Sequence, residues 1–469
     1  MLGEDILFLD VTELSRRIHA RKITSLELTE SYLDRSRRLG PQLNAYVTIT
    51  EKLALEQARR ADAELQAGHS RGPLHGIPYA AKDLLAVRGY PTTWGARPYA
   101  HQQFDYDATV IRRLEQAGAV LIGKAAMIEL AGGMNYRYAS ASITGAAKNP
   151  WNTGFWTCGS SSGSGAIVAG ALAAFALGTE TWGSILCPSS FCGVSGLRPT
   201  YGRVSRYGAM ALAYSMDKIG PLARSAEDLG TILQVIAAHD PKDAGSLPAA
   251  EAAFHASSVA ARRARPLRVG YLGKMWEKPM PEVAAAADAA VHVLAANGAH
   301  VEEAAFPEGP WDEIGNITVA VEGASAFYSL ISSGRVAELT DPLGHVAGYS
   351  NLTIGANDYH RAQRIRRLLQ EKIDAMYERY DVLVAACQPV TATPIGANLE
   401  TELTFSDPIG VIGNLCGLPA VSVPCGFAKN GLPVGLEFLG RVLDDANVLA
   451  AAALYQQHTT WQKRRPPLT

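Results

Sequence analysis

The residues best able to do chemistry in this chain are a few serines, two lysines and a glycine-containing turn. Gly159-Ser160-Ser161-Ser162-Gly163 matches GxSxG with Ser161 at its centre. In an α/β-hydrolase that serine sits on a sharp turn following a strand. Here the preceding Asn149-Pro150-Trp151-Asn152-Thr153-Gly154 is turn chemistry, which argues against such an elbow. Ser215-Met216-Asp217-Lys218 matches SxxK, but the partner patterns SDN and KTG are absent. A third arrangement is a serine activated by a lysine, which becomes a base when burial or a nearby cation lowers its pKa. Lys82 lies among apolar residues in the stretch Gly76–Leu85, and Lys124 follows the apolar run Ala119–Ile122. Residue chemistry leaves these two as equal candidates, and Lys82 can equally be a strand-end lysine paired with Asp83. A reacting serine also needs N–H donors for an oxyanion. Gly178-Thr179-Glu180-Thr181-Trp182-Gly183-Ser184-Ile185 offers converging N–H groups at Thr181, Trp182, Gly183 and Ser184.

Taken together, these stretches resemble the amidase signature family. Gly76–Asp83 resembles its lysine motif GIPxxxKD, Cys158–Gly165 its Gly/Ser box GGSSGGS, and Gly178–Pro188 its nucleophile turn GTDTGGSIRxP. Phe191–Gly202, Asp217–Pro221, Gly417–Ala420 and Gly431–Gly435 are further matches, so the resemblance spans nearly the whole chain except about 240–380. It implies Ser184 as nucleophile, Ser160 as a bridging serine after a cis Gly159–Ser160 bond, Lys82 as base and Ser161 as an orienting residue. It implies an oxyanion hole from the N–H groups of Thr181, Trp182 and Gly183, with that of Ser184. The implied reaction is hydrolysis of an amide C–N bond through an acyl-enzyme, without metal or cofactor. The implied partner is a small-molecule amide, anilide or carbamate (urethane) with apolar groups, with no nucleic acid and no membrane; homodimers are common in the family. Two alternatives stay open: a glutaminase (A) subunit of a tRNA-dependent amidotransferase, and a non-catalytic binding protein on an amidase scaffold.

The chain departs from that pattern around the reacting residues. Cys158 and Ser162 stand where the box has glycine, and Trp182 replaces the first glycine of the GGS turn. Glu180 replaces an aspartate, and Leu186-Cys187 replaces Arg-x, removing a positive charge. These changes predict an apolar, aromatic-lined site, with the Trp182 ring either forming a pocket wall or packing away from it.

The elements that must position these residues alternate between helix and strand. Thr24-Ser25-Leu26-Glu27 has capping-box spacing and predicts a helix to about Leu39. A second helix is predicted over Lys52–Ala67, and a third from a cap at Asp107 to Gln116. A buried helix is predicted over 165–176, and further helices at Ala226–Ala238, 281–297 and Ala446–His458. Strands are predicted around Tyr79–Val87 and at Ala119–Ile122, Leu267–Leu272, 299–304, Val382–Ala386, Ala420–Pro424 and Leu436–Leu439. This alternation predicts an α/β protein. With the resemblance it becomes a mixed β-sheet covered by helices on both faces. No sharp break divides the 469 residues, so one domain over 1–469 is expected. Its aromatic-rich helical subregion at about 310–380 is expected to form part of the substrate pocket.

Composition narrows the class. Forty-three basic against 45 acidic residues leave a formal net charge of −2, which does not predict a nucleic-acid binder. The N-terminus has no basic, apolar leader pattern, and the run Gly165–Gly178 is too short to cross a bilayer. Cys158, Cys187, Cys192, Cys387, Cys416 and Cys425 show no CxxC spacing and read as reduced thiols of a cytoplasmic protein. The 11 histidines form no HxH or HExxH pair, so no metal site is predicted.

Overall fold

A computed structural model describes every residue except Ala264 and Thr469. Its main sheet has eleven strands. In chain order they are β1 (Tyr46–Ile49), β2 (Pro78–Lys82), β3 (Val120–Ala125), β4 (Phe175–Glu180), β5 (Ser195–Arg198) and β6 (Lys218–Ala223). The remainder are β7 (Arg268–Tyr271), β8 (His300–Glu303), β9 (Val382–Ala386), β10 (Ala420–Phe427) and β11 (Pro433–Gly440). They lie side by side in the order β1-β3-β2-β4-β6-β5-β10-β11-β9-β7-β8. β3, β2 and β4 run parallel, as do β9, β7 and β8; the pairs between β4 and β9 are antiparallel. The sheet is therefore mixed and flanked by helices. Its central strands β2, β3, β4 and β6 are buried at every position, as expected when both faces are covered.

The Thr24 capping box forms: the Thr24 hydroxyl accepts the Glu27 N–H at 3.0 Å, and Glu27 accepts the Thr24 N–H at 2.8 Å. Two expectations need correction. Asp107 does not cap the third helix; its carboxylate accepts the Arg88 N–H at 2.8 Å, and the helix is Thr109–Gln116. The long helix over 165–176 is instead a shorter helix, Ser162–Ala169, then a turn with Ala171 at φ 51°, then β4. A short apolar run has no period that separates buried helix from buried strand. β5 and β6 were not predicted, because Gly196, Gly220 and Pro221 look like loop residues. In the sheet Gly220 serves close packing: a Cβ there would lie 2.0 Å from the Leu197 carbonyl oxygen.

The helices Trp311–Ala326, Tyr328–Ser332, Gly344–Asn351 and Ala356–Met376 make up the helical subregion. Buried side chains fall into one large cluster through the sheet and a smaller one. The smaller cluster includes Trp156, Phe191, Cys158 and Cys187 and lies beside the Gly/Ser segment.

Candidate active site

Lys82 is the last residue of β2 and is fully buried. Its Nζ lies 2.7 Å from Ser160 Oγ, 3.0 Å from Ser161 Oγ and 2.9 Å from Thr179 Oγ1. Burial pushes its amine down to about 7, against the opposing pull of the Asp217 and Glu180 carboxylates. Lys124 is different. Its Nζ sits 2.9 Å from Asp83 Oδ1 and also bonds Thr92 Oγ1 and the Pro91 carbonyl. The aspartate next to Lys82 in sequence is thus taken by Lys124, and the hydroxyl groups gather on Lys82.

The Gly159–Ser160 peptide is cis. Ser161 follows and ties three segments together. Its Oγ donates to the Thr179 carbonyl at 3.1 Å and accepts the Thr179 N–H at 3.2 Å, while its N–H donates to the Ser184 carbonyl at 3.3 Å. Gly178 lets this serine approach: a Cβ there would lie 2.8 Å from Ser161 Oγ.

The turn 181–184 connects β4 to the helix Leu186–Cys192. Among the described residues, no protein acceptor takes the backbone N–H groups of Thr181, Trp182, Gly183 or Ser184. Gly183 carries the left-handed conformation, φ 76°, so Trp182 does not have to. Gly183→Ala is expected to cost about 1–2 kcal/mol of stability from that φ alone, measurable by chemical denaturation. Ser184 Oγ makes no hydrogen bond to Ser160 among the described residues. The Lys82–Ser160 half of the expected relay is in contact and the Ser160–Ser184 half is not, and such bonds often tighten only when substrate binds.

Trp182 turns toward the helical subregion. Its Nε1 donates to Asp407 Oδ2 at 3.2 Å, and a Cβ on Gly315 would lie 3.0 Å from its ring. Asp407 starts the helix Pro408–Leu415 by accepting the Gly410 N–H, and burial pushes its carboxyl up to about 6. A cavity of about 270 Å³ opens beside the turn, with Leu84, Met210, Leu212 and Ile219 on its apolar side and Thr179 and Thr181 on its polar side.

Two features went unread in the sequence. Glu180 Oε2 accepts the N–H groups of Ile185 and Leu186, and Oε1 takes Arg198 at 2.6 Å and Asn414 at 3.0 Å. Cys158 and Cys187 are joined in a disulfide, which corrects the reading of all six cysteines as reduced thiols. The two cysteines that depart from the family pattern are partners. Disulfides are rare in reducing compartments, so cysteine usage no longer argues for the cytoplasm. No helix among the described residues is long and apolar enough to cross a membrane.

Residues 27–449 match the Amidase family. The chain belongs to the amidase signature family. Amidase relatives include the glutamyl-tRNA(Gln) amidotransferase (A) subunit of Chloroflexus aggregans, 38% identical and covering 99% of each chain. The protein of the same name from Thermosynechococcus vestitus is 37% identical over 98% of this chain and 99% of that one. Among solved amidase structures, the native peptide amidase of Stenotrophomonas maltophilia is 31% identical with a TM-score of 0.86, covering 98% of each chain. A 6-aminohexanoate cyclic dimer hydrolase is 26% identical with a TM-score of 0.85, covering 98% of this chain and 99% of that one. The curated relatives correct the expected partners. They are by name one subunit of an enzyme that acts on a charged tRNA, which overturns a lone small-molecule substrate with no nucleic acid and only a copy of the chain as companion.

Proposed function

We propose that this amidase-family hydrolase is the glutaminase subunit of a tRNA-dependent amidotransferase, releasing ammonia from the glutamine side chain. The observation that carries the reading is end-to-end likeness, at 38% identity, to relatives of that name. Two features of the site support it. Trp182 and Cys187 looked unsuited to a polar substrate, but the Trp182 ring is turned toward Gly315 and Cys187 is spent in a disulfide. Asp407 Oδ2 lies 3.8 Å from where a Cβ on Gly183 would sit, placing a carboxylate beside the turn where an amino acid's ammonium group can meet it.

In this reading neutral Lys82 takes the Ser160 proton, Ser160 takes that of Ser184, and Ser184 Oγ attacks the amide carbon. The N–H groups of residues 181–184 receive the oxyanion; losing one such donor costs roughly 3–4 kcal/mol in comparable sites. The proton returns to the leaving nitrogen, ammonia departs, and water cleaves the acyl-enzyme by the same route. The helices over 310–380 back the turn through Trp182.

The test is glutamate release from glutamine by the purified chain, alone and with its partner subunits and glutamyl-tRNA(Gln). Release that rises with the partners and disappears in Ser184→Ala supports the reading. Turnover of simple aryl amides or carbamates by the chain alone, with none of glutamine under any condition, overturns it. Asp407→Asn is expected to raise the KM for glutamine roughly 10- to 100-fold, the worth of a charge-assisted hydrogen bond, with kcat little changed. For the same reason the wild-type KM for glutamine should climb as pH falls through about 6, where the Asp407 carboxylate takes up a proton.

A further inference from the structure

The Cys158–Cys187 disulfide crosses between the two segments whose relative placement the reaction needs. Cys158 stands two residues before Ser160, and Cys187 three residues after Ser184. Each sulfur sits at a point where its segment is already fixed locally. Cys158 has φ 63°, a conformation that favours glycine, so a side chain is carried there against a backbone cost. Cys187 lies in the first turn of the helix Leu186–Cys192, and its N–H donates to the Gly183 carbonyl at 2.8 Å. The disulfide therefore acts on the turn 183–187 as a unit. The helices that follow the two segments pack together at Gly165 and Pro188, but between the reacting stretches themselves the direct hydrogen bond is the Ser161 N–H to the Ser184 carbonyl at 3.3 Å, and the Ser160 and Ser184 hydroxyls are not hydrogen-bonded to each other among the described residues. Both sulfurs pack in the smaller hydrophobic cluster with Ile128, Trp156 and Phe191, which leaves little water around them.

We propose that Cys158 and Cys187 are a positioning pair for the reaction: their disulfide sets Ser184 at reacting distance from Ser160, and the enzyme is fully active only when it is oxidised. This rests on Ser184 being the nucleophile and Lys82 the base, and not on glutamine being the substrate. A phosphine with water reduces the pair. The S–S bond breaks, the phosphine becomes its oxide, and two thiols form. Release of the turn lets water reach Lys82, on which, among the described residues, the Asp217 and Glu180 carboxylates are the charges that act. Less desolvation then raises the amine's pKa.

The experiment follows labelling of Ser184 by an alkyl fluorophosphonate, in which the serine oxygen displaces fluoride from phosphorus. Labelling is read by mass spectrometry against pH, in oxidised and phosphine-reduced protein. Alkylation after denaturation, followed by peptide mapping, shows whether Cys158 and Cys187 carry free thiols, as the other four cysteines do in both forms. The expected result is a fall in labelling rate of at least roughly tenfold on reduction, with the acid limb of the pH profile moving to higher pH. Cys158→Gly/Cys187→Ala, which also relieves the φ at 158, should behave like reduced protein and be indifferent to phosphine. Circular dichroism checks that it is folded. A role in stability alone would lower the melting temperature and leave the pH limb in place. Equal labelling and an unmoved limb in oxidised, reduced and variant protein overturn the proposal. Absence of labelling in the oxidised protein overturns it together with the nucleophile assignment, whereas Ser184 labelling without glutamine turnover overturns only the glutamine reading.

Discussion

Lys82→Met is expected to lower kcat/KM by roughly a hundred- to ten-thousand-fold, the usual worth of a general base, with the fold intact. Methionine keeps the length and apolar body of the side chain and removes only the amine. Lys82 is held by neutral hydroxyls and the Thr179 carbonyl, not by an ion pair, so no buried carboxylate is orphaned when it goes. The wild-type rate should rise with pH through about 7, because the base works only after losing its proton and burial has brought that loss down to about 7. Lys124→Met is the control that the sequence itself suggests. It leaves Asp83 buried and without its partner, at a stability cost of about 3–5 kcal/mol. It should nonetheless leave the acid limb near its wild-type position. Steady-state rates across pH and denaturant melts separate the two lysines. If the limb moved in Lys124→Met, or survived with full activity in Lys82→Met, the assignment of the base would be wrong.

This contrast shows where the sequence was legible. Lys82 and Lys124 are indistinguishable by local chemistry, since each lies at or next to the end of an apolar strand. What separates them is register: Lys124 pairs with Ala81, so strand alternation puts it on the sheet face opposite Lys82, and pairing register is not written in the local sequence. The motif strings carried the site because their backbones must fold tightly: glycine at 178 admits Ser161, and glycine at 183 supplies the left-handed turn. Strands with an uninterrupted apolar pattern, such as Val382–Ala386, could be bounded to the residue. β5 and β6 were hidden because their glycines serve close packing inside the sheet. The disulfide joins cysteines 29 residues apart, and cysteine spacing alone gives no pairing. The direction of Trp182 depended on Asp407 and Gly315, both far along the chain and in stretches whose folding nothing near residue 182 could reveal.

Glu180 gives the second large effect, and its partner Arg198 explains the size. Burial disfavours the Glu180 charge, but Arg198, Asn414 and two backbone N–H groups outweigh that penalty and hold its carboxyl below the usual carboxylate range. Asp407 acts on Arg198 only through space, and Glu437 lies 3.9 Å from it; burial pushes Glu437 up to about 8, so it is mostly protonated at pH 7. Glu180→Gln therefore leaves a buried guanidinium without an ionised carboxylate in contact, a change worth about 3–5 kcal/mol. It also weakens the acceptor for the Ile185 and Leu186 N–H groups, so kcat should fall along with stability. The protein has one way to limit the damage. Glu180 is among the charges that keep Glu437 protonated, so removing it lowers the Glu437 pKa and lets that carboxylate ionise beside Arg198. Glu437→Gln alone should then cost little at pH 7, because the group it replaces is already neutral there. The double variant should cost more than the two single costs added, because it removes the substitute as well as the original partner. Denaturation of the four proteins at pH 7 measures this excess. Strictly additive costs would mean that Glu437 does not ionise when Glu180 is gone, and that Arg198 is held by its contact with the Leu418 carbonyl and the hydrogen bonds of its neutral neighbours instead.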